Sequence, residues 1–173
     1  TNMVSNNTTV LPERKHARPP THQGMPHAQI GIQPVAAINA ELFRRSFSLP
    51  NVQNRPTVIS VPGARALWLT ENVSIAHPEV IARGREFAHI HPDGSLHLSL
   101  PPDRAQEAVD KGWAEPHLIA SYLGIEGMVM LYTPLDEEEL EVVFQLIVES
   151  YDFITGSLIQ PDEIGQEVLR RES

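Results

Sequence analysis

The stretch Arg85-Glu86-Phe87-Ala88-His89-Ile90-His91-Pro92-Asp93-Gly94-Ser95-Leu96-His97-Leu98-Ser99-Leu100 leaves few folds open. Pro92-Asp93-Gly94 suits a three-residue hairpin loop, in which proline starts a type I turn and glycine takes the left-handed position that follows. That loop fixes a register in which His91 faces Ser95 and His89 faces His97. Side chains alternate along a strand, so Ala88, Ile90, Leu96, Leu98 and Leu100 share one apolar face. Phe87, His89, His91, His97 and Ser99 share the other. A loop one residue longer would flip His97 to the apolar side, and the unbroken apolar alternation argues against it.

A single histidine on an exposed sheet face is ordinarily just solvated. Three within reach of each other are costly to charge together, because imidazoles titrate near neutrality and repel when protonated. Such clusters bind a metal, hydrogen-bond a ligand or move protons. His-x-His on a strand puts two nitrogens on one side, and His97 can complete a facial set suited to zinc, iron, copper or nickel. Spacing alone does not decide whether a divalent metal is bound; if one is, His89, His91 and His97 are its expected ligands.

The chain has 173 residues, enough for one domain with a real core. Its 41% hydrophobic and 20% charged residues are ordinary for a soluble globular protein. A net charge of −9 offers no basic excess to neutralise phosphates, so nucleic acid is not an expected partner. With no cysteine, disulfide and thiolate chemistry are excluded. No flavin or nucleotide motif occurs. No apolar run approaches the roughly 18 residues of a membrane span, and no charged-then-apolar leader is seen. The expectation is a cytoplasmic protein without a membrane partner, and self-association into a homo-oligomer is compatible with this composition.

Residues 1–28 carry Pro12, Pro19, Pro20 and Pro26 among polar residues without periodicity. They read as an extended arm, flexible at its start, with His16, His22 and His27 exposed to solvent. The domain proper is expected over 29–156. Pro34 opens a helix carrying Val35, Ile38, Leu42 and Phe43, stopped at Ser48-Leu49-Pro50. Thr57–Val61 and Ala66–Leu69 read as two strands joined by Pro62-Gly63-Ala64-Arg65. Pro78–Arg83 suggests a short helix. After the histidine hairpin, Pro101-Pro102-Asp103 opens a helix with Ala105, Ala108 and Val109 inward, ending at Gly112. A loop with Trp113, Glu115 and His117 follows, then a central strand, Met128–Tyr132. The last main helix is the clearest element. Asp136 caps it, Glu139 completes a capping-box-like pair, and Leu135 serves as staple. Leu140, Val143, Phe144, Ile147, Tyr151 and Ile154 line one face, and Gly156 marks the stop. Its acidic first turn reads as a solvated face favoured by the helix dipole. Residues 157–173 form a tail with room for a short polar helix.

This order predicts an α+β domain: a mainly antiparallel sheet with helices packed on one face and the histidine cluster on the other. The cluster would face a cleft roofed by the loop around Trp113–His117 or by the N-terminal arm.

Several ordered motifs resemble the luciferase-domain family. These are Arg85-Glu86-Phe87-Ala88-His89-Ile90-His91, Ser95-Leu96-His97-Leu98, Gly112-Trp113-Ala114-Glu115-Pro116-His117, and Leu131-Tyr132-Thr133-Pro134 ahead of the acidic-led helix. The resemblance spans roughly residues 57–156. Pro26-His27-x-Gln29 and Pro62-Gly63-Ala64-Arg65-Ala66-Leu67-Trp68-Leu69 look like the bacterial branch. The family includes fungal luciferases that oxygenate 3-hydroxyhispidin and is unrelated to flavin-dependent bacterial luciferases. The resemblance implies His89, His91, His97 and His117 as the shared polar set, with Trp113 beside it. Two positions depart from the family pattern: His117-Leu118 replaces His-Pro, and Leu135 stands where an arginine follows Tyr-x-Pro. The expectation is also of a chain without the N-terminal membrane segment of the fungal members.

Two functions of different class follow. In the first, an enzyme holds a small enolic or phenolic substrate over the histidine face, a neutral histidine removes its acidic proton, and molecular oxygen adds to the electron-rich carbon. His89 and His97 are then expected in proton transfer and anion binding, His91 in orientation, and His117 closes the set. Phe87, Trp113, Ser99 and Tyr132 supply the expected substrate contacts. Light emission is not expected, since it needs a particular substrate as well as a fold. In the second, the same cleft serves a non-catalytic module that binds a small ligand or a metal, or an interaction domain that kept the fold.

Overall fold

The computed structural model describes residues 9–24, 27–118 and 120–158. Six strands form one sheet in the order β1-β2-β3-β4-β6-β5, with every neighbouring pair antiparallel. In chain order the elements are α1 (Ala36–Ser46), β1 (Val52–Pro56), β2 (Arg65–Leu69), a 3-10 turn at Pro78–Val80, β3 (Glu86–Ile90), β4 (Leu96–Ser99), α2 (Pro102–Asp110), β5 (Ala114–Pro116), α3 (Ala120–Leu123), β6 (Met128–Leu131) and α4 (Glu137–Thr155). This is the expected α+β architecture. Among the described residues no helix is long and apolar enough to cross a membrane. The tail beyond Leu158, with its expected short helix, and the first eight residues of the arm lie outside the described residues.

The hairpin holds the expected register. Ala88 pairs with Leu98, His89 with His97 and Ile90 with Leu96, and Gly94 sits at φ +82°. The His91 amide donates to the Ser95 carbonyl at 2.8 Å, and the Gly94 amide to the His91 carbonyl at 2.9 Å. Ala88, Ile90, Leu96 and Leu98 enter one buried core with Leu140, Val143, Phe144, Ile147, Tyr151 and Ile154 of α4. Each large apolar side chain buried this way contributes about 1.5–3 kcal/mol. At the start of α4, Asp136 Oδ1 accepts the Glu139 amide at 2.8 Å, while Glu139 Oε1 reaches back to the Leu135 amide at 3.0 Å. Gly156 ends the helix in the left-handed region at φ +79°. α1 packs along α4 and is tied to it by Arg45–Glu141 at 2.7 Å.

Two expected elements are corrected. The strand read at Thr57–Val61 lies earlier, at Val52–Pro56, paired with β2 from Val52–Leu69 to Pro56–Arg65. Residues 57–61 leave the sheet because Thr57 Oγ1 and the Val58 amide bond the Glu86 carboxylate at 2.8 and 2.9 Å. Thr57 Oγ1 then accepts the Ile59 and Ser60 amides, turning the chain locally as threonine hydroxyls can. The second correction concerns Ala114–Pro116, read as loop, which pairs with β6 as a short edge strand. β6 therefore lies inside the sheet, as expected.

The arm runs across the domain and is held at several points. Leu11 is buried, and its amide bonds Glu107 at 2.7 Å. The Pro12 carbonyl accepts Trp113 Nε1–H at 2.7 Å, the Arg14 amide reaches the Lys111 carbonyl at 2.9 Å, and Arg18 reaches the Ala114 carbonyl at 3.1 Å. At its far end the Gln29 amide bonds Asp93 Oδ2 at 3.0 Å, and Gln29 Oε1 accepts the Thr133 amide at 2.8 Å.

Candidate functional site

β3 and β4 present His89, His91 and His97 on the face opposite the core, and all three are buried beneath the arm and the β5 end. His117, just past β5, brings its ring centroid to 4.3 Å from that of His97. His91 and His97 centroids stand 4.5 Å apart, and His89 and His91 5.0 Å. The four histidines expected together are together.

A fifth ring was not expected. His27, read as a solvent-exposed arm residue, is 3% exposed and belongs to the cluster. Its Nδ1 lies 3.1 Å from His97 Nε2 and its Nε2 lies 2.7 Å from Glu115 Oε2. The available signal was Pro26-His27-x-Gln29 in the family resemblance; periodicity has no purchase on an extended arm. His16, by contrast, is largely exposed and pairs with Glu139 at 2.5 Å, and His22 is exposed.

Two carboxylates back the cluster. Glu86 Oε2 stands 3.0 Å from His89 Nδ1 although strict alternation puts residues 86 and 89 on opposite faces. A bulge explains it: Leu67 pairs with Ala88, but Trp68 pairs with Glu86, leaving Phe87 as the extra residue. Glu115 is the second, held by Thr21 Oγ1 at 2.9 Å and Tyr132 Oη–H at 3.0 Å as well as by His27. On a third side His91 Nδ1 meets Ser95 Oγ at 2.9 Å, and that hydroxyl donates to Asp93 Oδ1 at 2.5 Å.

These partners fix the tautomers. A carboxylate facing a ring nitrogen keeps a proton there, so His89 carries N–H at Nδ1 and His27 at Nε2. Ser95 spends its proton on Asp93 and must accept from His91 Nδ1–H. His27 Nδ1 is then an acceptor, so His97 donates from Nε2. Each outer nitrogen is satisfied, and His89 Nε2 and His97 Nδ1 face each other at 2.9 Å. One nitrogen from each of His89, His91 and His97 lies within 4.8 Å of the others, a set able to hold a metal ion.

Burial holds three of the rings neutral. It pushes His91 down to about 3, helped by repulsion from His89. It lowers His97 strongly, with His91 and His89 adding to the effect. His117, less buried, is lowered to about 4 by burial and by His27.

The rings line part of a cavity of about 400 Å³, within the range that holds small ligands. Ile59, Val61, Val80, Ala82 and Met128 make its apolar part. Ser99 lines it as expected. Phe87 also borders it, but the bulge sets its ring edge-on to Tyr151 of α4 at 5.9 Å. The other two residues expected at the substrate lie elsewhere. Trp113 does not line the cavity; it is buried in the core and anchors the arm through Pro12. Tyr132 does not line it either, and acts on Glu115 from behind.

Residues 84–150 match the family model described as Luciferase domain. Luciferases of Armillaria gallica and Armillaria ostoyae are each 31% identical to this chain over 166 residues, covering 84% of it and 62% of their own length. A luciferase of Neonothopanus nambi is 32% identical over 106 residues, covering 54% of this chain and 39% of its own. The chain thus spans less than two thirds of the curated relatives it matches. No solved structure matches it.

Proposed function

We propose that this chain, which belongs to the luciferase-domain family, binds a small enolic or phenolic molecule in the histidine-capped cavity and oxygenates it without emitting light. The carrying observation is the cavity's divided lining: buried imidazoles together with aliphatic side chains. A flat enol fits that division. Its hydroxyl meets the nitrogens, and its ring or chain lies against Ile59, Val61 and Met128.

The chemistry follows from the same division. The acidic O–H proton passes to a basic group lining the cavity, and the enolate oxygen stays among the imidazoles. The electron pair released to the enolate carbon forms a bond to molecular oxygen, and the resulting peroxide anion takes the proton back. Substrate plus oxygen gives a hydroperoxide, with no external reductant. The aliphatic side chains keep bulk water from the carbanion-like carbon. Light emission needs a particular substrate as well as a fold, and Leu135 stands where the family pattern has an arginine.

Oxygen consumption by the purified chain, measured with photon counting against a panel of enols and catechols, tests the reading. The expected result is saturable uptake with some panel members and no light. Tight binding without uptake would make the chain a ligand-binding module, and absence of both overturns the proposal.

A further inference from the structure

The hydrogen-bond accounting of the cluster leaves one contact unexplained. Glu86, Ser95 and Glu115 place protons on the outer nitrogens of His89, His91 and His27, and His27 in turn takes the proton of His97 Nε2. In that hydrogen-bond pattern His89 Nε2 and His97 Nδ1 direct lone pairs at each other across 2.9 Å. Two buried acceptors that close repel unless a cation sits between them or beside them. His91 Nε2 is the third nitrogen left with a free lone pair, and its ring stands on the same side.

We propose that His89, His91 and His97 hold a divalent transition-metal ion through His89 Nε2, His91 Nε2 and His97 Nδ1. The inference deepens the proposed function, naming what holds the enolate oxygen, and rests on it only for the ligand that fills the remaining coordination positions. Three further features carry it. Each ligand has a proton acceptor on its outer nitrogen: Glu86 for His89, Ser95–Asp93 for His91, and the His27–Glu115 pair for His97. Outer partners of this kind orient metal-bound histidines and raise their basicity. The surrounding charge is right, since Glu86 and Glu115 stand against the rings and, among the described residues, no lysine or arginine lines the cavity. The donor set is all imidazole nitrogen, which selects zinc, cobalt, nickel, iron or copper over magnesium and calcium. A proton between the two nitrogens would also relieve the lone-pair contact, but it would not engage His91 Nε2, whereas one ion engages all three nitrogens.

A second grouping, His16 with Asp136 and Glu139, carries no such inference because the Arg14 guanidinium already stands 3.4 Å from Glu139.

The test is titration of chelator-stripped full chain with cobalt(II), followed by absorption spectroscopy, with thermal melting in zinc(II) as a second readout. Visible ligand-field bands saturating near one ion per chain, and a melting temperature raised by zinc and lowered by chelator, are expected. His97→Gln and His89→Gln should abolish the bands. Glu86→Gln and His27→Ala should leave them but weaken affinity roughly 10–100-fold. His22→Ala, at an exposed histidine, should change nothing. Absence of saturable bands in the folded wild-type chain, or bands indifferent to His89 and His97, overturns the inference. If a variant fails to fold, the wild-type response of melting to zinc and chelator still decides. Oxygen uptake by a chelator-stripped chain that shows no cobalt bands would overturn the ion and keep the proposed function. Stoichiometric cobalt with no enol bound would do the reverse.

Discussion

Glu86 and His89 meet at 3.0 Å across three positions of one strand, a contact that a regular strand forbids. The bulge at Phe87 makes it, and Glu86 also takes Thr57 and Val58, so one buried carboxylate holds both a ring of the site and the loop that walls the cavity. Glu86→Ala should therefore loosen residues 57–61 while leaving the hairpin intact. Hydrogen exchange should rise at the Val58, Ile59 and Ser60 amides and stay slow at His89 and His97. Equal exchange in both regions of the variant would mean the loop has another support.

Phe144 is 3% exposed within the core that joins α4 to the hairpin. Phe144→Ala should cost about 3–5 kcal/mol in denaturant unfolding, as large-to-small core changes do. A loss below about 1 kcal/mol would contradict the layer arrangement.

Acid should unfold the metal-free chain earlier than carboxylate titration alone implies. An unfolded histidine titrates near 6.5, whereas folded His91 holds out to about 3 and His117 to about 4. Below 6.5 the unfolded state takes up protons that the folded state refuses, so stability falls with pH until the folded values are reached. Above 6.5 these rings contribute no slope. The melting temperature followed from pH 8 to pH 4 checks the sign, and His91→Gln should flatten the decline.

The loop histidine is expected to serve ligand more than fold. His117 is half-buried at the cavity while the rings around it are buried. His117→Ala should weaken enol binding several-fold, measured by calorimetry, and leave the melting temperature nearly unchanged. A large fall in melting temperature would assign the ring to the scaffold instead.

Gln29 closes the arm onto the hairpin turn and onto the Thr133 amide, which is buried. Gln29→Ala leaves that amide without its partner, a loss of about 1–3 kcal/mol. Limited proteolysis should then cut the arm before the domain unfolds. Unchanged resistance would show that Leu11 and Trp113 hold the arm unaided.

How much of this was legible depended on the range of the interactions. The hairpin register, the face carrying His89, His91 and His97, and the capped helix α4 rest on alternation, turn chemistry and helical spacing, all local, and all were readable from the sequence. Glu86 was hidden by a bulge, which is set by pairing with β2 and leaves no mark on β3 itself. His27 was hidden because its burial comes from docking an irregular arm, where no period distinguishes an inward side chain from an outward one. Trp113 and Tyr132 sit next to site residues in sequence, yet their partners, Pro12 and Glu115, come from elsewhere in the chain. The shift of β1 from 57–61 to 52–56 has the same origin, since the β-prone run Thr57-Val58-Ile59 is captured by Glu86, 28 or 29 residues away.

The arm's attachments to the domain lie in series: Leu11, Pro12, Arg14, Arg18, then Thr21 and His27 on Glu115, and last Gln29. A load applied ahead of residue 9 would peel them one at a time, like a zip opened from its free end. His27 would be among the last to leave. Mechanical disturbance from that side is thus spent on contacts that do no chemistry before it can reach a ring nitrogen.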